Sequence, residues 1–296
     1  MIANRSAQLR KMLDNNDIII APGAYDGISA QLIEKAGFPA IYITGAGVAS
    51  SRLGLPDMGL ATMNEVLDTA RNIINVTSIP VICDTDTGYG NALNLIRTVR
   101  EFERIGVAAI QIEDQVTPKR CGHTEGKQIV SKEEMIEKIK AFHFAKSSDD
   151  FVLIARTDAI AVNGLDDAVE RAKAYAAAGA DVIFVEAIQS VEEMKTVKKM
   201  LPDISLLVNM VEGGGKTPIL PASELEAIGF KIAIFPTSVW MASIYAIKQV
   251  LHELKTSGIT EKYADKMVSF HEMFEVVDRS DFTELEKRFL APRAAD

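Results

Sequence analysis

Short apolar runs alternate with amphipathic segments along most of the chain. The runs are nearly continuous in hydrophobic residues, which is typical of parallel strands covered on both faces. The segments between them carry apolar residues at helical spacing. The predicted strands are Ile18–Ala21, Ala40–Thr44, Val81–Asp84, Ala108–Glu113, Phe151–Arg156, Val182–Glu186, Ser205–Asn209 and Ile232–Phe235.

Glycines mark the ends of several predicted helices. Gly37 closes the segment that begins at Gly27, and Gly179 closes the one that begins at Asp166. Glycine is favoured just past a helix because the cap there adopts the left-handed conformation. Eight strand–helix units in one chain predict a (β/α)8 TIM barrel. A doubly wound open sheet is the alternative.

The pattern becomes helical near Ile244 and stays so to the end of the sequence, and an opening helix is predicted over Ser6–Leu13. No linker rich in Pro, Gly or Ser divides the chain. Residues 1–296 are therefore interpreted as one barrel domain with a C-terminal helical extension. The extension exceeds what a barrel needs, so we expect part of it to pack on a neighbouring subunit.

Composition narrows the class of protein. The 296 residues are 48% hydrophobic and 25% charged, as in ordinary globular proteins, with a net charge of −9. That charge argues against nucleic-acid or anionic-membrane partners. No run approaches the ~18 apolar residues of a membrane span, and no signal-peptide core is present. The two cysteines suit a reducing compartment, so the cytoplasm is the predicted location.

Carboxylates collect where the predicted strands end, the position from which barrel enzymes build their active sites. Asp84 and Asp86 follow the third strand and, two residues apart, are expected on the same side. Glu113 ends the fourth strand, and Asp57 lies after the second. Converging carboxylates repel one another unless a cation compensates. The four predict an oxygen-only site for Mg²⁺, and no Cys/His spacing indicates zinc.

Other strand ends and one loop supply further candidate residues. The loop Lys119–His123 places Cys121 among cations, where a thiolate is expected to form more readily. A solvated surface loop with a bystander cysteine is the alternative. The remaining strand-end candidates are Tyr42, Thr44, Gly45, Ala46, Arg156, Asp158, Glu186, Asn209 and Glu212.

Two glycine-rich stretches resemble nucleotide motifs without meeting their requirements. Gly45–Gly47 follows a strand, but position 50 is Ser, where a dinucleotide fingerprint has its third glycine. Gly213–Thr217 lacks the spacing of a phosphate loop, and a cradle for a carboxylate or a plain surface loop fits it better. No predicted strand ends in lysine, which disfavours Schiff-base chemistry.

The sequence resembles the isocitrate lyase / phosphoenolpyruvate mutase superfamily from about residue 7 to about residue 289. The Lys119–His123 element is the most specific of the matching motifs and is typical of the carbon–carbon lyase branch. The other matching stretches are Tyr42–Gly47, Leu53–Asp57, Asp84–Gly90, Gln111–Gln115, Ala155–Asp158 and Asn209. The family fold is a (β/α)8 barrel whose last helix is exchanged between partners, typically in a homotetramer.

The resemblance implies roles for individual residues. Asp84 and Asp86 would bind Mg²⁺, with Mn²⁺ as an acceptable substitute, and Asp57 and Glu113 would hold its waters. The 2-oxo-acid half of a dicarboxylate substrate would be gripped by Arg156 and the amides from Thr44 through Gly45 and Ala46. Cys121, on a mobile lid, would be the proton donor, and Tyr42 would be the base. Arg156 and His123 are the other implied catalytic residues. Contacts with the substrate are also implied for Gly122, Glu186 and Asn209.

The substrate is less closely defined by the resemblance. Methylisocitrate lyases carry arginines where Met241 and Phe270 align here, which favours smaller 2-alkylmalates such as 2,3-dimethylmalate. A 2-methylisocitrate lyase is the next alternative, followed by an oxaloacetate hydrolase or a carboxyphosphonoenolpyruvate mutase. A degenerate barrel that only binds a ligand is the non-enzymatic alternative.

Overall fold

Eight parallel strands close into a barrel in this computed structural model, which describes residues 4–290. Neighbouring strands pair in sequence order, and β1 closes the barrel against β8 with Ile19 opposite Ile232. The predicted TIM barrel is confirmed, and the open-sheet alternative is wrong. The strands are β1 Ile19–Ala24, β2 Ile41–Ile43, β3 Val81–Asp84, β4 Ala109–Glu113, β5 Val152–Thr157, β6 Val182–Val185, β7 Leu206–Asn209 and β8 Ile232–Phe235.

Helices follow the strands, as the sequence pattern predicts. Gly37 and Gly179 have φ values of 85° and 111°, the left-handed conformation expected of helix-ending glycines. A π-helical turn occupies Ala49–Leu53 and a 3₁₀ helix Glu261–Lys266. The α-helices are α1 Arg5–Asp14, α2 Gly27–Lys35, α3 Gly45–Val48, α4 Met63–Val76, α5 Ala92–Ile105, α6 Lys132–Ala145, α7 Ile160–Asn163, α8 Leu165–Ala177, α9 Val191–Met200, α10 Ala222–Ile228, α11 Ser238–Ser257, α12 Phe270–Val276 and α13 Arg279–Phe289.

Two separate sets of buried side chains fill the barrel unit. Alternate strand residues, among them Ile82, Ile154 and Phe184, pack with Leu9 of α1 in one cluster. A larger cluster joins the other strand residues to the helices that cover them, such as Phe102 of α5. Burial on both faces explains why the strands read as continuous apolar runs.

The chain divides into two compact units, one ending at Trp240 and one beginning at Met241. The first holds the barrel. The second holds most of α11 together with α12 and α13, and none of the described residues from 241 to 290 is buried. No helix within residues 4–290 has the length and apolar character needed to cross a membrane. The interpretation of residues 1–296 as one domain stays a prediction, and its two ends lie outside the described residues.

Candidate active site

A cavity of about 70 Å³ lies at the C-terminal ends of the strands. The residues to which the resemblance assigns roles line it, except Gly45, Asp86 and Glu113, and the further candidates Asp158 and Glu212 do not line it either. Gly45 nevertheless packs against the cluster, since a Cβ at that position would lie 3.0 Å from Asp84 Oδ2. The lining residues are Tyr42, Thr44, Ala46, Asp57, Asp84, Lys119, Cys121, Gly122, His123, Arg156, Glu186, Asn209, Val211, Ile234, Pro236 and Thr237.

Arg156 is the cation at the centre of the site. Its guanidinium donates two hydrogen bonds to Asp158, from Nε at 2.9 Å and from Nη2 at 3.0 Å. It also pairs with Glu113 and Glu186, each at 3.3 Å. Burial acts to lower the pKa of Arg156, but the three carboxylates raise it well above its ordinary value. Arg156 therefore stays charged and holds acids from β4, β5 and β6 together.

The carboxylates predicted to bind a metal ion lie close together, but not because they share one face of a strand. Strand β3 ends at Asp84, and Asp86 lies in the following turn with a positive φ of 50°, so strand alternation does not place it. Its backbone N–H donates instead to Asp84 Oδ1 at 3.1 Å. Lys119 Nζ pairs with Asp57 and, at 3.1 Å, with Asp86. Lys119 thus offsets part of the negative charge that was expected to require a metal ion.

Within residues 4–290, no three or more His, Cys, Asp or Glu side chains are arranged so that they could hold a metal ion. Glu113 nevertheless keeps two buried oxygens that accept no hydrogen bond. Burial raises the pKa of Glu113 well above its ordinary value, and burial raises that of Asp86 to about 6 although Lys119 opposes it. These groups fit Mg²⁺, which uses few protein carboxylates and retains water.

Tyr42 belongs to the same acidic side of the cavity. Its hydroxyl donates to Gln111 Oε1 at 3.1 Å, and Gln111 Nε2 donates to Asp84 Oδ1 at 3.4 Å. Burial and the nearby Asp84 raise the pKa of Tyr42 well above its usual value. The phenol therefore stays protonated unless a positive charge comes near it.

The loop of residues 114–130 folds over the cavity and carries Cys121. An isolated bridge pairs Gln115 with Ile129 where the loop begins and ends. The Gln115 side chain holds the turn by accepting from the Arg120 N–H at 2.9 Å and donating to the Arg120 carbonyl at 2.8 Å. Burial raises the pKa of the Cys121 thiol above its ordinary value although the His123 backbone, Arg156 and Lys119 oppose this. The expected thiolate is wrong, because burial outweighs the neighbouring cations.

His123 joins the loop to the far side of the cavity. Its Nδ1 accepts from the Lys216 N–H at 3.1 Å, so a neutral ring carries its proton on Nε2. Nε2 lies 3.6 Å from Glu186 Oε1 and 3.3 Å from Asn209 Nδ2. Burial lowers the pKa of His123, and the neutral ring is therefore the form present near neutral pH.

Some strand-end residues do not line the cavity, and some residues that line it were not predicted. Glu212 accepts from Thr237 Oγ1 at 2.7 Å and also from the Ser238 hydroxyl. Asp114 accepts from Tyr175 and Thr157, both at 2.8 Å. The lining residues without a predicted role are Lys119, Val211, Ile234, Pro236 and Thr237. The strand-end rule, applied fully to β7 and β8, could have found most of them.

A closed parallel barrel with titratable side chains gathered at the strand ends is the arrangement of a barrel enzyme. Residues 9–255 match the family described as phosphoenolpyruvate phosphomutase, and the chain belongs to that family. The superfamily predicted from the motifs is thereby confirmed. Family membership and the assembled site also set aside the non-enzymatic alternative.

Curated relatives cover almost the whole chain. A 2,3-dimethylmalate lyase from Eubacterium barkeri is 45% identical over 290 residues, which are 98% of this chain and 100% of the relative. A 2-methylisocitrate lyase from Aeropyrum pernix is 44% identical over 93% of this chain and 87% of its own. Both named relatives are lyases, as the Lys119–His123 element predicts.

Solved structures agree on the fold across several chemistries. An oxaloacetate acetylhydrolase bound to 3,3-difluorooxalacetate has a TM-score of 0.92 at 36% identity, covering 97% of this chain and 98% of its own. A phosphonopyruvate hydrolase bound to oxalate and Mg²⁺ has a TM-score of 0.88 at 30% identity, covering 97% and 99%. The fold alone therefore does not choose among these reactions.

Gly122 offers a test of the closed loop. A Cβ at this position would overlap Arg156 Nη2 and lie 2.7 Å from Glu186 Oε2. We expect Gly122→Ala to open the loop and to speed alkylation of Cys121 by iodoacetamide about tenfold, since overpacking costs roughly 1–3 kcal/mol. Gly27→Ala is the control, because its nearest neighbour would be Val76 Cγ2 at 3.6 Å. Equal alkylation rates in the two variants would contradict the closed arrangement.

Proposed function

We propose that this protein is a Mg²⁺-dependent carbon–carbon lyase that cleaves a 2-hydroxy dicarboxylate, with 2,3-dimethylmalate as the best candidate, to pyruvate and a short carboxylate. The observation that carries the proposal is the folded loop, which sets a protonated Cys121 thiol in the same small cavity as Arg156 and the carboxylate cluster. The similarity to a 2,3-dimethylmalate lyase over nearly the whole chain supports it.

Two groups of cavity residues suit the two halves of such a substrate. Arg156 provides fixed positive charge for a carboxylate, and Thr44 and Ala46 line the same cavity. Glu186 and Asn209, joined at 3.2 Å, line the cavity beside His123 and would meet the other half of the substrate. A bound ion is proposed at Asp84 and Asp86, with Asp57 and Glu113 holding its waters.

When bound, Mg²⁺ would polarise the substrate hydroxyl and lower its pKa. Tyr42 would accept the hydroxyl proton, because added positive charge near Asp84 favours the phenolate. Arg156 would stabilise the negative charge that develops when the C2–C3 bond breaks. Cys121, kept neutral by burial, would then give its proton to the carbon of the departing fragment. Closure of the loop would exclude bulk water during these steps.

Two related activities remain as alternatives. Similarity to a 2-methylisocitrate lyase supports cleavage of a tricarboxylate, and similarity to an oxaloacetate acetylhydrolase supports hydrolysis. The apolar cavity residues Val211, Ile234 and Pro236 favour a substrate with alkyl substituents over one with a third carboxylate. Met241 and Phe270 belong to the second unit, where they are exposed. Both thiols are free, which suits action in the cytoplasm.

A homotetramer with exchanged helices is proposed as the assembly. The barrel unit carries an apolar groove of about 460 Å³ lined by Leu32, Phe38, Phe235 and neighbours. In the second unit, α11 carries exposed Ile247, Leu251 and Leu254, which lie on one face at helical spacing. Large exposed apolar surfaces of this kind mark association sites. A second copy's α11 has the apolar face that such a groove requires.

Substrate preference tests the proposed function directly. We expect kcat/KM for 2,3-dimethylmalate to exceed that for 2-methylisocitrate by about a thousandfold. A buried carboxylate without a cationic partner costs several kcal/mol, whereas each buried methyl gains roughly 0.8 kcal/mol and each 1.4 kcal/mol is about tenfold. The rate of pyruvate release at saturating Mg²⁺ gives kcat/KM for both substrates. A preference for methylisocitrate would assign the protein to that activity, and oxalate release from oxaloacetate would indicate the hydrolase.

The thiol is tested by Cys121→Ser, which keeps the size of the side chain and replaces the acid with a much weaker one. We expect kcat to fall by about 10²–10⁴-fold, the usual contribution of a positioned acid or base, with little change in KM. Cys83→Ala removes the other thiol, which lies in the core, and should retain turnover. Near-normal turnover of Cys121→Ser would leave the thiol without a catalytic role.

Metal binding is expected to depend on pH through Asp86. The pKa of Asp86 is raised to about 6 by burial, so the metal-free fold binds more protons than the unfolded chain. This contribution to stability is present below pH ~4 and is lost as the pH rises through about 6. Bound Mg²⁺ should restore the lost stability by compensating the ionised carboxylate.

The measurement is the rise in Tm caused by Mg²⁺ at about pH 5.5 and about pH 7.5. We expect the larger rise at the higher pH, about 5 °C at a hundredfold excess over the Kd. Asp86→Asn should abolish the response, while Asp149→Asn, at an exposed position, should keep it. Full activity after EDTA treatment would exclude the metal.

The assembly is tested by Leu32→Asp, which places a charge in the apolar groove. We expect this variant to form smaller species than the parent in size-exclusion chromatography with light scattering. Leu93→Asp is the control, since Leu93 is 75% exposed on α5 and lies outside the groove. A monomeric parent protein would rule out the tetramer.

A further inference from the structure

Lys127 is a buried lysine that the proposed mechanism does not use. It belongs to the loop that carries Cys121, and its side chain is only 1% exposed. Its Nζ donates to Asp158 Oδ1 at 2.8 Å and also to the carbonyl of Gly122, next to the thiol. One ammonium group therefore joins the tip of the loop to the end of β5.

Asp158 connects this lysine to Arg156. Its two oxygens accept from Nε and Nη2 of Arg156, and Oδ1 accepts from Lys127 as well. Although burial acts to raise the pKa of Asp158, Arg156 and Lys127 lower it to about 2. The carboxylate is thus ionised and bound by two cations at once, one from the barrel and one from the loop.

The position of Asp158 is fixed from the opposite side. Its backbone N–H donates to Asp114 Oδ1 at 2.9 Å. Asp114 also accepts from Tyr175 at 2.8 Å and lies 3.3 Å from Arg171 Nη1. Asp114 lies directly after β4, Arg156 lies on β5, and Tyr175 and Arg171 lie on the covering helix α8; because all four are buried, Asp158 is held firmly in place. Lys127 is the cation that the loop adds to this network.

We propose that Lys127 is a positioning residue that holds the closed loop to the Asp158–Arg156 pair, so that the Cys121 thiol and the Arg156 guanidinium are set against the same bound molecule. The proposal rests on the proposed function for the roles of Cys121 and Arg156. The contacts of Lys127 themselves do not depend on that function.

The effect of losing Lys127 follows from its two acceptors. Without the ammonium, the Gly122 carbonyl loses its donor, while Asp158 keeps both bonds to Arg156. The barrel side therefore remains intact, and the closed loop alone is weakened. Of the two bonds, only the one to Asp158 crosses from the loop to the barrel, so closure should become about ten- to a hundredfold less favourable, the effect of losing one hydrogen bond between charged groups.

The experiment compares Lys127→Met, which keeps the length without charge, with Lys127→Arg, which keeps the charge. Lys140→Met is the matched control, because Lys140 lies on α6 with a 61% exposed side chain. The first readout is the rate at which iodoacetamide alkylates Cys121, located by mass spectrometry. The second is kcat and KM for 2,3-dimethylmalate with Mg²⁺.

We expect Lys127→Met to raise the alkylation rate and to lower kcat, each by about tenfold or more, with KM changed by less than about threefold. Lys127→Arg should recover part of both effects, and Lys140→Met should match the parent. A lower Tm with parental alkylation and kcat would overturn the proposal, because it would mean a purely structural lysine. If Lys127→Met fails to fold, Lys127→Gln is measured with the same two expectations.

The two readouts separate this proposal from the proposed function. If the parent cleaves no malate derivative but Lys127→Met speeds alkylation, the lyase assignment fails and the loop attachment stands. If the parent is an active lyase and alkylation and kcat do not respond to Lys127→Met, the attachment fails alone.

Discussion

The rest of the site depends on the burial of one guanidinium. Arg156 lies among Glu113, Asp158 and Glu186, which come from three adjacent strands or their ends. Removing one member of such a cluster leaves an uncompensated charge at a cost of roughly 3–5 kcal/mol. The strand register brings these groups to the same level of the barrel, so a shift in register would separate the paired charges. Arg156 also lies 5.1 Å from the Phe184 ring, which links the polar site to the apolar core.

The loop adds further cations to Arg156 at the C-terminal end of the barrel. Lys119 pairs with Asp57 and Asp86, and Lys127 pairs with Asp158. Closing the loop therefore neutralises carboxylates that would otherwise repel one another in a poorly solvated space. The same lysines place positive charge near the cavity of a chain whose net charge is −9.

The sequence predicted the barrel closely because its strands are buried on both faces and read as apolar runs. The predicted and observed limits of Val81–Asp84 and Ile232–Phe235 agree in full. The positions of the strand ends predicted most of the cavity residues, but they did not predict the direction in which each side chain points. Asp114 and Glu212 turn to hydrogen-bond donors on neighbouring elements, and Asp86 reaches the cluster through a turn. The burial of Lys119, Cys121 and Lys127 depends on how the loop folds, which no local pattern encodes.

The proposed lyase chemistry depends on the protonation state of Cys121. A thiolate would act as a nucleophile, whereas a neutral thiol can give a proton to carbon. Burial raises the pKa of this thiol, and the burial exists because the loop is folded over the cavity. A free thiol is already largely protonated near neutral pH, so burial keeps Cys121 neutral beside Arg156 and Lys119 rather than creating the acid. In the proposed reaction, the folded loop would hold this neutral donor next to the bound molecule, where bulk water is the competing proton source.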